Sequence, residues 1–305
     1  MSDIKREPDG VLVINKHAGP TSHDIVNKIR RLYGTKKVGH TGTLDPMAEG
    51  VLVMLLGRAA KAAEYLATDS KKYRATLRLG IETDTQDVTG EVLKHFAGKL
   101  PSADAVAETC RGFIGKISQV PPMYSALKVG GKKLLDLARQ GITVERQARP
   151  IEIFSLECTP INDSDYTLDV HCSGGTYIRT LCADIGEKLG CGGAMATLCR
   201  TETGGFPIEK SYTIEQLENM NEDERLSLLI PTESLFADLP AVKLPAFYEK
   251  LCRSGCEIYQ NKIKANHKVG QRVRICNEKG EFFALGEVRE YEDGTAIKAI
   301  KTFYL

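Results

Sequence analysis

The apolar positions change period several times along the chain, and each change marks an element. Residues 10–14, "GVLVI", form an unbroken apolar run of strand length. After a Gly19-Pro20 turn, Thr21 or Ser22 can cap a helix in which Ile25, Val26, Ile29 and Leu32 recur at helical spacing until Gly34. "GVLVMLLG" at 50–57 is again continuously apolar and reads as a buried strand, with "RAAKAAEYL" after it as a helix. The texture then switches to strict alternation: Tyr73, Ala75, Leu77 and Leu79 point one way, Arg74, Thr76 and Arg78 the other. "YTLDVHC" at 166–172 alternates likewise. It leads through "SGGTY" into a helix whose buried stripe is Ile178, Leu181, Cys182, Ile185 and Leu189.

Three segments stand apart. Residues 124–150 are rich in Gly, Lys and Arg and read as a mobile basic excursion, residues 208–238 as an acidic helical stretch, and the tail as short strands broken by "NEKG" and "EDG" turns. Strands and helices together make an α+β chain. It divides near residue 240, with domains expected at 1–240 and 241–305, the second a small β-barrel-like module.

Composition excludes several classes. No apolar stretch is long enough to cross a bilayer, and "MSDIKREPDG" lacks the apolar run of a secretory signal, so the expected location is cytoplasmic. The nine cysteines contain no C-x-x-C pair, which fits reduced buried thiols. Cys252 and Cys256 lack a second ligand pair, and no zinc is expected. The net charge of +1 is a cancellation of +4 over residues 1–200, −7 over 201–240 and +4 over 241–305. Basic surface is therefore available at both ends for a polyanion, although balances this small decide nothing alone.

The sharpest local feature is "KVGHTGTLDPMAEG", 37–50, where one acid, Asp45, sits between Leu44 and Pro46 among small turn-forming residues. No acid occurs between Ile25 and Leu44, whereas Lys36, Lys37 and His40 do. Asp45 is expected in a loop at the mouth of a central strand, with Gly39, Gly42 and Gly50 admitting close neighbours.

Five segments, "GVLVINKHAGPTS", "KVGHTGTLDPMAEGVLVMLLGRAAK", "KKYRATLRLGIETDTQDVTGE", "PPMYSALKVGGKKL" and "CSGGTYIRTLCADIGEKLG", resemble in order the motifs of TruB-type tRNA pseudouridine-55 synthases. The tail resembles a PUA domain, an RNA-binding module. The resemblance implies a pseudouridine synthase fold, a mixed and mostly antiparallel sheet flanked by helices, with residues 124–150 as a thumb. It implies isomerisation of one T-loop uridine of tRNA by a monomer that needs no cofactor, metal, membrane or protein partner. The uridine is flipped out, the N-glycosidic bond breaks, the uracil turns, and C1′ rejoins at C5.

The resemblance also assigns residues. Asp45 falls at the catalytic aspartate, acting either by covalent attack at C1′ or by assisting loss of the C2′ proton. Arg179 falls at the arginine that grips it and lowers its pKa, and Asp87 at an acid holding that arginine. Asp84 reads as a turn residue. Tyr73 matches the tyrosine that stacks on uracil with its hydroxyl near C5, and Tyr177 and Leu198 match pocket residues. His40 matches the histidine that fills the space of the flipped base, with Lys16 in the motif beside it. Lys128, Lys132, Lys133, Arg139, Arg146 and Arg149 suit phosphate contacts, and Gly130-Gly131 a hinge. Three positions depart from the usual pattern: His17 stands in place of a proline, Leu135 in place of a tyrosine and Cys199 in place of an arginine. The alternatives are a non-catalytic RNA-binding protein on this scaffold, a guide-RNA-dependent relative, and a nucleoside hydrolase using Asp45 with Glu49.

Overall fold

The computed structural model describes residues 7–66 and 70–303, without the Lys133 side chain. The first six residues of the opening segment, and the Lys133 side chain expected on phosphate, therefore lie outside it. Seven strands carry the main sheet: β1 (Gly10–Lys16), β2 (Glu49–Leu56), β3 (Lys71–Leu79), β4 (Gly115–Gln119), β5 (Arg149–Pro160), β6 (Asp165–Cys172) and β7 (Gly193–Thr203). Their spatial order is β1-β2-β7-β3-β6-β5-β4. Every neighbour pair is antiparallel except β2 with β7, so the sheet is mixed and mostly antiparallel. Two short strands, Val38–His40 and Phe206–Pro207, attach to β2 and β7.

The period changes in the sequence follow from how many faces of each strand are covered. In β1 and β2 one face (Leu12, Ile14, Leu52, Met54, Leu56) enters the large core, while the other (Val11, Val13, Val51, Val53, Leu55) enters a second core shared with Phe236, Leu285 and Phe303. With both faces buried there is no polar position to alternate with. β3 is covered on one face only, and its outer Lys72, Arg74 and Arg78 pair with Glu202, Asp169 and Asp165 across the sheet.

Helix α1 (Ser22–Leu32) begins with a capping box between Thr21 and Asp24, and Gly34 after its end takes φ +61°. "RAAKAAEYL", expected as a helix, forms one of the 3-10 kind at Gly57–Tyr65 with no side-chain cap. The tighter winding puts Ala59 and Ala62, three apart and both fully buried, on one side. Helix α2 (Ala103–Arg111) packs against β5, and α3 (Ile178–Lys188) against β7. The excursion is a small hairpin, Lys128–Val129 against Lys132–Lys133, followed by a short helix with Leu134 and Leu137 buried. Gly130 (φ +58°) and Gly131 (φ +83°), expected to let the excursion hinge, make the turn at its tip. Arg149 already belongs to β5. The acidic stretch folds into short helices. A second, five-stranded sheet with its own core starts at Ala241–Lys243.

Candidate active site

Asp45 lies in the loop between Val38–His40 and β2, and that loop is clamped on both flanks. On one side the Ser22 hydroxyl accepts from Leu44 N (2.9 Å) and donates to Leu44 O (3.0 Å). Lys16 Nζ donates to the carbonyls of Ala48 (2.6 Å), Pro46 (3.1 Å) and His17 (3.1 Å). On the other side Arg200 sends Nε to Val51 O (2.7 Å), Nη2 to Gly42 O (3.0 Å) and Nη1 to Thr43 O (3.3 Å). Of the three glycines expected to admit close neighbours, Gly50 alone requires it: at φ +98°, a Cβ there would run into the Arg200 carbonyl.

Between these clamps the carboxylate meets Arg179, which α3 presents from its first turn. Arg179 Nε approaches Asp45 Oδ2 at 2.9 Å, and Nη2 approaches Oδ1 at 3.2 Å, a bidentate pair. The remaining donors go to Tyr124 O (2.8 Å) and Thr85 O (3.1 Å), and Asp87 Oδ2 stands 3.7 Å from Nη1. The guanidinium side chain is 6% exposed and the Asp45 side chain 34%. So the arginine is fixed within the protein while the carboxylate remains open to a cavity. The expected Asp45–Arg179–Asp87 constellation is thus assembled, with two backbone carbonyls that the sequence did not indicate.

The electrostatic outcome differs from the expectation. Burial pushes the Asp45 carboxyl above its ordinary value, the nearby Asp87 adds to this, and Arg179 and Lys16 offset only part of it. Burial likewise raises the Tyr73 phenol, against the lowering influence of the Arg200 guanidinium beside it. Burial also lowers His40, with Arg200 and His23 acting in the same direction.

The Asp45–Arg179 pair borders two cavities. The first, about 430 Å³, is lined also by Tyr73, Tyr177, Leu198 and Arg200. The second, about 760 Å³, has His23, His40, Asp87, Leu135 and Arg139 around it. Tyr73 and Arg200 are register partners on β3 and β7, which puts the phenol and the guanidinium side by side. Cys199 points to the opposite face from its neighbours Leu198 and Arg200, away from this cavity. Asp84 is a turn residue, accepting from Glu91 N (2.8 Å), and also takes the Tyr124 hydroxyl (3.1 Å). Lys128 and Lys132 are exposed on the hairpin and line neither of these cavities.

Lys16 is corrected from a candidate RNA contact. Its residue is 0% exposed, and its ammonium is turned inward onto three carbonyls. Burial brings its pKa down to about 8 although Asp45 and Glu49 pull it up. Lys16→Met should leave those carbonyls without a donor and lower stability by about 1–3 kcal/mol. Thermal melting of the variant checks this; an unchanged midpoint would contradict it.

Sequence reasoning missed Arg200 and Gln119. Arg200 left one trace, a charge on the inward side of an alternating strand two residues from Leu198. Gln119 left none: its buried amide grips the backbone of Tyr177 on both sides, accepting from N (2.8 Å) and donating to O (3.1 Å), which sets the entry of α3.

Among solved structures the fold aligns with the "Crystal Structure of a Cbf5-Nop10-Gar1 Complex", TM-score 0.74 at 28% identity over 97% of this chain and 85% of that one. It aligns also with the "Structure of H/ACA RNP bound to a substrate RNA containing 2'-deoxyuridine", TM-score 0.73 at 26% identity over 98% and 86%. The fold is that of a pseudouridine synthase. Residues 30–178 match the profile "TruB family pseudouridylate synthase (N terminal domain)", and residues 179–237 match "tRNA pseudouridylate synthase B C-terminal domain". A tRNA pseudouridine synthase B of Alkaliphilus oremlandii is 44% identical over 92% of this chain and 93% of its own length. Another of Geotalea uraniireducens is 50% identical over 71% and 70%. The chain belongs to the TruB family of pseudouridylate synthases, and so is an isomerase.

Proposed function

We propose that this chain converts the T-loop uridine of tRNA, position 55, to pseudouridine, with Asp45 as the reacting carboxylate. The observation that carries the reading is the bidentate Asp45–Arg179 pair on the rim of a cavity whose wall is Tyr73 and Leu198. An aspartate fixed by a buried guanidinium yet open to a pocket is poised to meet an electron-poor carbon. The supporting likeness is stronger to proteins named tRNA pseudouridine synthase B, at 44–50% identity, than to the Cbf5 structures at 26–28%. That favours tRNA over a guide-RNA-dependent assembly.

In this reading the uridine swings out of the T-loop into the first cavity at a cost of a few kcal/mol. His40, with an unpartnered buried Nδ1 beside the second cavity, takes the vacated space. The carboxylate attacks C1′, or assists loss of the C2′ proton, as the N-glycosidic bond breaks. The uracil turns against Tyr73, C5 joins C1′, and the C5 proton leaves as N1 gains one. Tyr177 and Leu198 hold the base. Lys128, Lys132 and Lys133 of the thumb meet phosphates. Residues 241–305 serve as a PUA-like RNA-binding domain beside the 1–240 catalytic domain. The chain works as a cytoplasmic monomer without a protein partner, and no helix among the described residues is long and apolar enough to cross a membrane.

Tyr73→Phe should bind tRNA within about twofold of the parent and slow turnover by about 10²-fold, the usual reach of one proton-transfer group. Single-turnover rates measure it, and an unchanged rate would leave stacking as its only role. The reading as a whole is tested by incubating the chain with an unmodified tRNA transcript and no additive, then mapping pseudouridine. Product at the T-loop uridine supports it; release of free uracil, or no product, overturns it.

A further inference from the structure

The turn that faces Arg179 contains one of the two described non-glycine residues with positive φ, Gln86 at φ +63°. A left-handed backbone costs a non-glycine residue of order 1 kcal/mol, and such strain persists only where surroundings impose it. Here the imposition is visible. Gln86 N donates to Thr83 O (3.3 Å), Met195 N donates to Gln86 O (3.0 Å), and the buried Thr180 hydroxyl donates to Gln86 Oε1 (2.8 Å). Thr180 follows Arg179 directly in α3. The residues on either side of Gln86 both address one nitrogen of that arginine: Thr85 O lies 3.1 Å from Nη1, and Asp87 Oδ2 lies 3.7 Å from it. A carbonyl and a carboxylate two residues apart converge on one atom only because the chain reverses between them. The side chain then bonds this reversal to the helix that carries the target.

We infer that Gln86 is a positioning residue for the reaction: by tying the 83–90 turn to Thr180, it fixes the angle at which Arg179 presents the Asp45 carboxylate. Nothing in its role requires contact with RNA. The inference rests on the proposed function for its kinetic consequence, but the geometry can be read without substrate. The charged and titratable groups facing Asp45 are Arg179, Asp87, Lys16, Tyr73 and Tyr177. Loosening Arg179 removes the main influence that lowers the Asp45 carboxyl, so its titration must move to higher pH.

Four variants test this: Gln86→Ala, Gln86→Gly, Thr180→Val and Thr180→Ser. Gln86→Ala should lower kcat on a tRNA transcript by about tenfold, a displaced support for the reacting group, with KM changed less than about twofold. The acid limb of kcat/KM should shift upward, and so should the ¹³C-detected titration of the Asp45 carboxyl in the RNA-free protein. Gln86→Gly relieves the strain, so it should melt no lower than the parent yet show the same kinetic loss. Thr180→Val should match Gln86→Ala, with no further loss in the double variant, and Thr180→Ser should keep the parent's rate. Parent-like kcat and Asp45 titration in Gln86→Gly and Thr180→Val would overturn the inference, as would a kcat loss that vanishes at temperatures where the variant is fully folded. If the parent made no pseudouridine on any RNA, the proposed function would fail, and the carboxyl titration would still decide the role of Gln86.

Discussion

Asp45→Asn should abolish pseudouridine formation, by on the order of 10³-fold or more, while leaving the fold and tRNA binding in place. The side chain keeps its shape and can still accept one hydrogen bond from Arg179, but it no longer carries the anion that the reaction uses at C1′ or C2′. Stability should change little at neutral pH. Because burial raises the folded-state carboxyl above its ordinary 3.8, the stability it contributes is present below that value and is lost as pH rises through the raised one. At neutral pH, then, the ionised Asp45 is no asset to the fold, and an uncharged isostere forfeits none. The same direction sets the activity profile. In the parent, kcat/KM should fall on acidification through a midpoint above the ordinary aspartate range, since the protonated carboxyl cannot react. Single-turnover assays across pH, with melting and filter binding of the variant, check all three statements. Normal product from Asp45→Asn would remove the basis of the mechanism.

Arg179→Lys should cost about 10²-fold in single-turnover rate and about 1–3 kcal/mol in stability. An ammonium preserves the charge but offers one point where the guanidinium spans both oxygens of Asp45 and reaches Tyr124 O and Thr85 O. The carbonyls that lose their donor account for the stability loss, since an unpaired buried acceptor retains its desolvation penalty. A free carboxylate rotor accounts for the slower rate, because a reacting atom displaced by about an ångström forfeits much of its advantage. Rate on a tRNA transcript and thermal melting are the measurements. A rate close to that of the parent would show that charge alone suffices.

Much of the molecule was legible along the chain because it depends on local periodicity. The unbroken runs at 10–14 and 50–57, the alternation at 73–79 and 166–172, and the stripe from Ile178 each reported how many faces of an element are covered. The 58–66 segment was legible as a helix, but its kind was not. An alanine-rich stretch suits either helix, and only its fit against neighbours, with Ala59 and Ala62 at a spacing of three, selected the tighter winding. The basic excursion was visible as composition, yet the position of its two glycines at a hairpin tip was not.

At the site, sequence by itself determined which chemistry was on offer: a lone aspartate in a turn, a tyrosine on an inward strand face, an arginine at a helix entry, and the motif order joining them. Tertiary structure decided everything that depends on two distant segments meeting. Lys16 was turned inward onto backbone carbonyls rather than outward to RNA. Arg200 and Gln119, unremarkable in sequence, became the supports of that loop and of α3. The Asp45 carboxyl went up rather than down, because pairing is a contact of two residues whereas desolvation sums over every atom the fold packs around them.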